Sequence, residues 1–175
     1  VCNNQNKVQP KLDCWHPSHD SVVAFWKGKP RFFRDAVREP YSDSYRRLVG
    51  TPRSATPGRF GQAPSIYEDH GGTLPRDVII GPALAGRFGA KERVGHPTPK
   101  PIWLMEKLIL SASLTGEPVL DLFSGGGTAS LAAARLGRHW LAIERDPRYC
   151  ELIKARIASL TAPDVRFDFD GGSKG

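Results

Sequence analysis

Two carboxylates and a run of glycines are the residues of this sequence best placed to do chemistry. Asp121 closes the apolar run "PVLDLF", Gly125, Gly126 and Gly127 follow in "DLFSGGGTAS" (121–130), and Glu144 ends the apolar run "HWLAIE". Consecutive glycines admit positive φ and let a ligand approach the backbone with no Cβ in its way. In a parallel α/β unit the turn after the first strand faces the ligand crevice. An acid about 20 residues on, at the end of the next strand, can accept both hydroxyls of a ribose. Two ligand classes fit this frame: dinucleotides and S-adenosylmethionine. Asp121 favours the second, because at a strand mouth it reaches the ammonium group of an amino acid, whereas a pyrophosphate gains nothing from a carboxylate there. "GGGTAS" also meets G-x-G-x-x-G only loosely, with Ser130 in the last place. The plainer alternative is a tight strand-to-helix turn with an ordinary surface Glu144. On the ligand reading, a side chain at Gly125 fills the ligand's space and abolishes binding while leaving the fold mostly intact.

The elements that must position these residues are regular. "PIWLMEKLILSAS" predicts a helix with Pro101 at its first position and Ile102, Met105, Leu108, Ile109 and Ala112 on one face. "PVLDLF" predicts a buried strand, "TASLAAARLG" a helix ended by Gly137, and "HWLAIE" a second strand. "DPRYCELIKARIASL" predicts a helix capped by Asp146, with Pro147 in the first turn and Cys150, Ile153, Ile157 and Leu160 facing inward. Strand, helix, strand, helix is a parallel α/β unit with right-handed crossovers. Upstream, "SVVAFW" (21–26) reads as a short buried strand, "RFFRDAV" as its antiparallel partner, and Trp15 and Trp26 as core. From Tyr41 to Gly95 the composition turns to arginine, proline, glycine and serine, and only "DVII" (77–80) reads as a strand there. A stretch of that length without periodicity is usually functional or mobile.

These motifs carry a resemblance. "GHPTPKPIWLMEKLI" (95–109) followed by "VLDLFSGGGTASLAAARLGRHWLAIERDPRYCELIKARI" resembles the cofactor half of the amino-methylating DNA methyltransferases, which modify N6 of adenine or N4 of cytosine. A His-Pro-Thr-x-Lys-Pro segment and its helix precede the glycine loop, an order that resembles the permuted group whose catalytic motif lies upstream of the cofactor motifs. The match is close from Gly95 to Ile157. "WHPSHDSVVAFWKG" is more loosely similar to the strand this family writes as His-Glu, alternating apolar residues and a lysine. The resemblance implies an α/β fold: a partial S-adenosylmethionine-dependent methyltransferase (Rossmann-like) sheet with an irregular arginine-rich insertion. Residues 1–40 would complete the sheet and 41–94 would form a target-recognition loop region. Residues 95–163 would bind S-adenosylmethionine, and 164–175 would be a flexible tail. It also implies that Phe123, Ser124, Gly125, Gly126, Gly127 and Thr128 line the methionine and adenosine. Asp121 would meet the amino-acid end and Glu144 the ribose, with Thr98 and Lys100 near the methionine carboxylate and His96 also binding the cofactor. A lysine suits that group as a point charge.

The family's catalytic Asp/Asn/Ser-Pro-Pro-Tyr/Phe tetrapeptide does not occur in the sequence. "REPYSD" (38–43) is the nearest string, but it has a single proline and follows a charged segment rather than an apolar strand. No catalytic residue is therefore assigned. Val1 stands first in place of methionine, so the expectation is a fragment whose catalytic segment lies upstream or on a complementing chain. A catalytically inactive truncated module that holds S-adenosylmethionine or DNA is the alternative, and a NAD-dependent oxidoreductase ranks third.

The net charge of +7 favours a polyanionic partner. With the resemblance, that partner is expected to be double-stranded DNA, contacted by Arg46, Arg47, Arg53 and Arg59 with help from Arg76, Arg87, Arg93, Tyr45, Phe60 and Phe88. Cys2, Cys14 and Cys150 are too few and too odd in number for a disulfide framework. Cys2, Cys14, His16 and His19 match no standard zinc spacing, so no metal is expected. No apolar run approaches the length of a membrane span and no signal peptide is evident, so no membrane partner is expected and a cytoplasmic protein of bacterial or phage origin is.

Overall fold

The computed structural model describes residues 2–3, 19–55, 61, 63–82, 84, 92 and 95–160. Trp15, Cys14, His16, Arg59, Phe60, Arg87, Phe88, Arg93 and the 164–175 tail lie outside them.

The C-terminal half forms the α/β unit that the sequence predicts. Helix α2 (Ile102–Ala112) leads into strand β6 (Pro118–Asp121), helix α3 (Thr128–Arg135), strand β7 (His139–Ala142) and helix α4 (Pro147–Ala158). Strands β6 and β7 pair in parallel, Val119 against Trp140 and Leu120 against Leu141. Gly137 ends α3 at φ +70°, a backbone that costs glycine nothing. The Asp146 side chain accepts from the Arg148 N–H, an N-cap, and Pro147 occupies the first turn of α4 where no N–H is missed.

The core lies where α2 crosses α3. Ile102, Ile109, Leu131, Ala132 and Ala133 are buried together, with Met105, Val119, Leu136, Ile157 and Leu160 packed around them. Ala132 and Ala133 have no exposed surface, and their small side chains let α2 approach closely. Pro101 is the N-cap residue of α2 rather than its first helical residue. Leu104 is buried and Ala112 exposed, so the inward face is rotated slightly from the expected one.

The opposite face of the β6–β7 sheet is bare. Leu120 is 56% exposed and its register partner Leu141 61%, with Leu122 and Ile143 half-exposed just beyond the strand ends. Parallel sheets are ordinarily covered on both faces.

The N-terminal half is assembled from short pieces. Strands β1 (Cys2–Asn3), β2 (His19–Asp20) and β5 (Ile79–Ile80) form a small sheet in the order β2-β1-β5, separate from β6–β7. The expected strand over 21–26 does not form. Beyond Asp20 the backbone carries no strand, Phe25 is 88% exposed and Trp26, expected in the core, is 57% exposed. An apolar alternation makes a strand only where another strand meets it, and among the described residues the ladder ends at Asp20. Its expected partner is not a strand either: Arg34–Val37 is a turn of 3-10 helix that rests on α2 through Val37 and the Phe33 N–H to Ser111 carbonyl bond. Of "DVII" only Ile79 and Ile80 pair.

The described residues of 41–55 and 63–70 pack locally on one another. Helix α1 (Asp43–Arg46), capped by Ser42, precedes strands β3 (Pro52–Arg53) and β4 (Ser65–Ile66), which pair antiparallel. The Tyr41 ring stacks on Tyr45, and Tyr45 meets Tyr67 edge-on.

Candidate functional site

The turn between β6 and α3 is held by backbone bonds at nearly every step. Ile143 N–H donates to the Asp121 carbonyl at 2.8 Å, Ser124 N–H to the Ile143 carbonyl at 3.0 Å, and Gly127 N–H to the Ser124 carbonyl at 2.7 Å. The Ser124 hydroxyl donates to the Asp121 carbonyl at 3.1 Å. Gly125 and Gly127 take φ +48° and +72°, left-handed backbone that non-glycine residues adopt only at a cost. Ser124 and Thr128 are buried with the glycines, whereas Phe123 at the tip is 91% exposed.

Glu144, at the mouth of β7, closes on this turn. Its Oε2 accepts the Gly125 N–H at 2.7 Å and its Oε1 the Asp146 N–H at 2.9 Å. The Asp146 and Gly125 amides hold the Glu144 carboxyl below its ordinary value. One amide on each oxygen leaves each a further lone pair for a ligand hydroxyl. Asp121, partly exposed at the mouth of β6, accepts the Phe123 N–H on Oδ1 at 3.2 Å, which orients its carboxylate.

His96 also reaches the turn. Its Nδ1 accepts the Thr98 N–H at 3.3 Å, which leaves the proton of a neutral ring on Nε2. A Cβ built on Gly125 would lie 2.6 Å from that Nε2. The sequence reading reserves the space beside Gly125 for a ligand. In the direction a side chain would take, that space is already filled by His96. The imidazole is held in turn by Tyr149 of α4, edge-on at 4.9 Å between centroids. Thr98 and Lys100 are exposed in the segment leading into α2.

The structure thus brings Gly125, Glu144 and His96 into direct contact, with Asp121, Phe123, Ser124, Gly126, Gly127 and Thr128 in the same turn. Arg46 is exposed on α1 and Arg47 at its C-cap, and Arg53 lies over the Tyr67 ring at 5.5 Å, away from the glycine turn in sequence. Among the described residues no group of three or more His, Cys, Asp and Glu could hold a metal, and no helix is long and apolar enough to cross a membrane.

A protein-family model described as a DNA methylase, of the N6/N4 kind, matches residues 2–155. The chain belongs to the N6/N4 DNA methylase family. Its relatives include the type II methyltransferase M.HpaI of Haemophilus parainfluenzae, 28% identical over 145 residues, which are 83% of this chain and 40% of that protein. This methylase chain therefore spans less than half the length of that curated relative. Two solved structures match shorter stretches. A protein from Thermus thermophilus described as a DNA modification methylase, complexed with S-adenosyl-L-methionine, is 43% identical over 37% of this chain and 27% of that one, with a TM-score of 0.35. The M1.HpyAVI–SAM complex is 35% identical over 47% of this chain and 38% of that one, with a TM-score of 0.41.

Four residues meet this site in ways the sequence reading does not anticipate, Ile153 having been expected only to face inward. Tyr149 holds His96, and Ile153 lies against Gly127, where a Cβ would come within 2.6 Å of its Cγ1. The Arg156 guanidinium donates to the Gly126 carbonyl, and Glu92 accepts the Ile102 N–H at 3.0 Å at the start of α2. Tyr149, Ile153 and Arg156 follow one another at helical spacing. That stripe is the one signal by which the three residues of α4 could be found, and only once the neighbouring loop is known to be bare glycine.

Proposed function

We propose that this chain is the S-adenosylmethionine-binding part of a permuted DNA methyltransferase that methylates N6 of adenine or N4 of cytosine. The observation that carries the reading is Glu144, a carboxylate fixed by one backbone amide on each oxygen beside a left-handed glycine turn. That arrangement suits the two hydroxyls of a ribose, and Asp121 at the neighbouring strand mouth suits an ammonium group. Phe123, Ser124, Gly125, Gly126, Gly127 and Thr128 line the nucleoside and methionine, Thr98 and Lys100 stand toward the methionine carboxylate, and His96 borders the turn.

When bound, S-adenosylmethionine supplies a methyl group activated by sulfonium. The residues of this chain bind and orient; the Pro-Pro tetrapeptide that holds the target amine comes from polypeptide outside these residues, upstream or on a complementing chain. The bare sheet face at Leu120, Leu122, Leu141 and Ile143, and the unpaired apolar segment around Phe25, are where we expect such polypeptide to pack. Arg46, Arg47, Arg53 and Arg59 contact the DNA. Membership of a family that includes a type II methyltransferase points to restriction–modification in a bacterium or phage.

Calorimetry with S-adenosylmethionine and with NAD tests the ligand, and transfer of labelled methyl to double-stranded DNA tests the reaction. This chain should bind the first ligand and not the second, and should label DNA only when joined or complemented by the Pro-Pro segment. Preference for NAD, or a complemented protein that binds but never methylates, overturns the enzyme reading.

A further inference from the structure

Helix α4 is built to hold the glycine turn, and one of its residues does so through a charge. Tyr149, Ile153 and Arg156 stand at i, i+4 and i+7, one stripe of the helix. Each meets a different part of the triple glycine. Tyr149 braces His96, which stands over Gly125; Ile153, 4% exposed, fills the space beside Gly127; and Arg156 Nη1 donates to the Gly126 carbonyl.

The third contact differs in kind from the other two. A half-buried guanidinium gives up hydration, and its burial here pulls Arg156 below the ordinary arginine value, with Glu92 acting in the opposite sense. A solvated arginine on the outer face of a helix bears no such penalty. The bond it makes in exchange fixes one peptide plane, because the Gly126 carbonyl and the Gly127 N–H belong to the same unit. The carbonyl end is held by Arg156 and the N–H end by the Ser124 carbonyl at 2.7 Å. Gly126 and Gly127, on either side of that plane, have no Cβ to restrict them, so these bonds and the surrounding packing set its orientation.

We infer that Arg156 is a positioning residue for the cofactor: by clamping the Gly126–Gly127 peptide it sets the shape of the turn without itself touching the ligand. Glu92 acts on Arg156 through charge alone, and its side chain accepts the Ile102 N–H at the start of α2. The inference rests on the S-adenosylmethionine reading above.

The test uses the 175-residue chain and its Arg156→Ala, Arg156→Lys and Lys154→Ala variants. Three quantities are read: the Kd for S-adenosylmethionine by calorimetry, Tm, and amide hydrogen exchange. Arg156→Ala should raise Kd about tenfold, the effect of one lost charge-assisted hydrogen bond. It should also speed exchange at Gly125–Thr128 more than at Leu104–Ile109 of α2. Arg156→Lys, which keeps a donor and a charge, should recover part of the affinity. Lys154→Ala, on the exposed face of the same helix, should change neither affinity nor turn exchange. Unchanged Kd in Arg156→Ala, or exchange that rises equally in the turn and α2 with no rescue by lysine, overturns the positioning role and leaves the cofactor reading intact. A wild-type chain that binds no S-adenosylmethionine overturns both.

Discussion

Glu144 takes two backbone amides, so its charge is worth more in the folded chain than in the unfolded one. Because its folded pKa is depressed, the stabilising contribution is complete above the ordinary glutamate value of 4.5 and is lost as pH falls through the lower, folded value. A pH titration of Tm should show this loss on the acid side only, and Glu144→Gln should flatten it. The same substitution should weaken S-adenosylmethionine at least about tenfold, read by calorimetry at neutral pH. Gly125 illustrates how a residue can be read correctly for an incomplete reason. Its need for positive φ is evident from the triple glycine, but the presence of His96 2.6 Å from where a Cβ would go is not. Gly125→Val should therefore cost about 1–3 kcal/mol of stability from backbone strain and overpacking as well as abolishing binding, measurable by urea unfolding. Arg156 escapes the sequence for a related reason. In "IKARIA" it looks like the solvated side of an amphipathic helix, and only the position of the Gly126 carbonyl reveals otherwise.

Local signals decide which elements could be foreseen. Helices α3 and α4 carry their own punctuation, Gly137 after one and Asp146–Pro147 before the other, and both boundaries follow from those residues. Strands β6 and β7 are each other's partners, close in sequence, so their apolar runs are enough. The run at 21–26 is also apolar but pairs with no described strand, and without a ladder it stays exposed. Strand formation is a property of pairs, and half of a pair is all that a sequence window shows. The cap on α4 offers a test at this scale. Asp146→Ala removes both the bond to the Arg148 amide and the ion pair to its guanidinium, and should lower Tm by a few degrees; Asp146→Asn, which keeps the cap, should lower it less.

For the molecule as a whole, the arginines of α1 and β3 stand beside stacked tyrosines, and the glycine turn belongs to the α/β unit. Alanine at Arg46, Arg47 and Arg53 together should weaken double-stranded DNA about equally for all sequences and reduce the salt slope of binding, as expected for phosphate contacts. Salt-independent loss confined to one sequence would argue for base contacts instead. The bare sheet face makes a second prediction. Leu141→Lys replaces an apolar residue in a parallel strand, yet with 61% of it exposed the change should shift the stability of this chain by less than about 0.5 kcal/mol. The same substitution should abolish methylation restored by a complementing segment. Beyond that face, β6 and β7 each have an outer side that no described strand pairs. Unsatisfied amides and carbonyls along such margins invite intermolecular zipping. Light scattering from concentrated samples should climb with time, and a short peptide of alternating valine and threonine should slow the climb by sealing the margin.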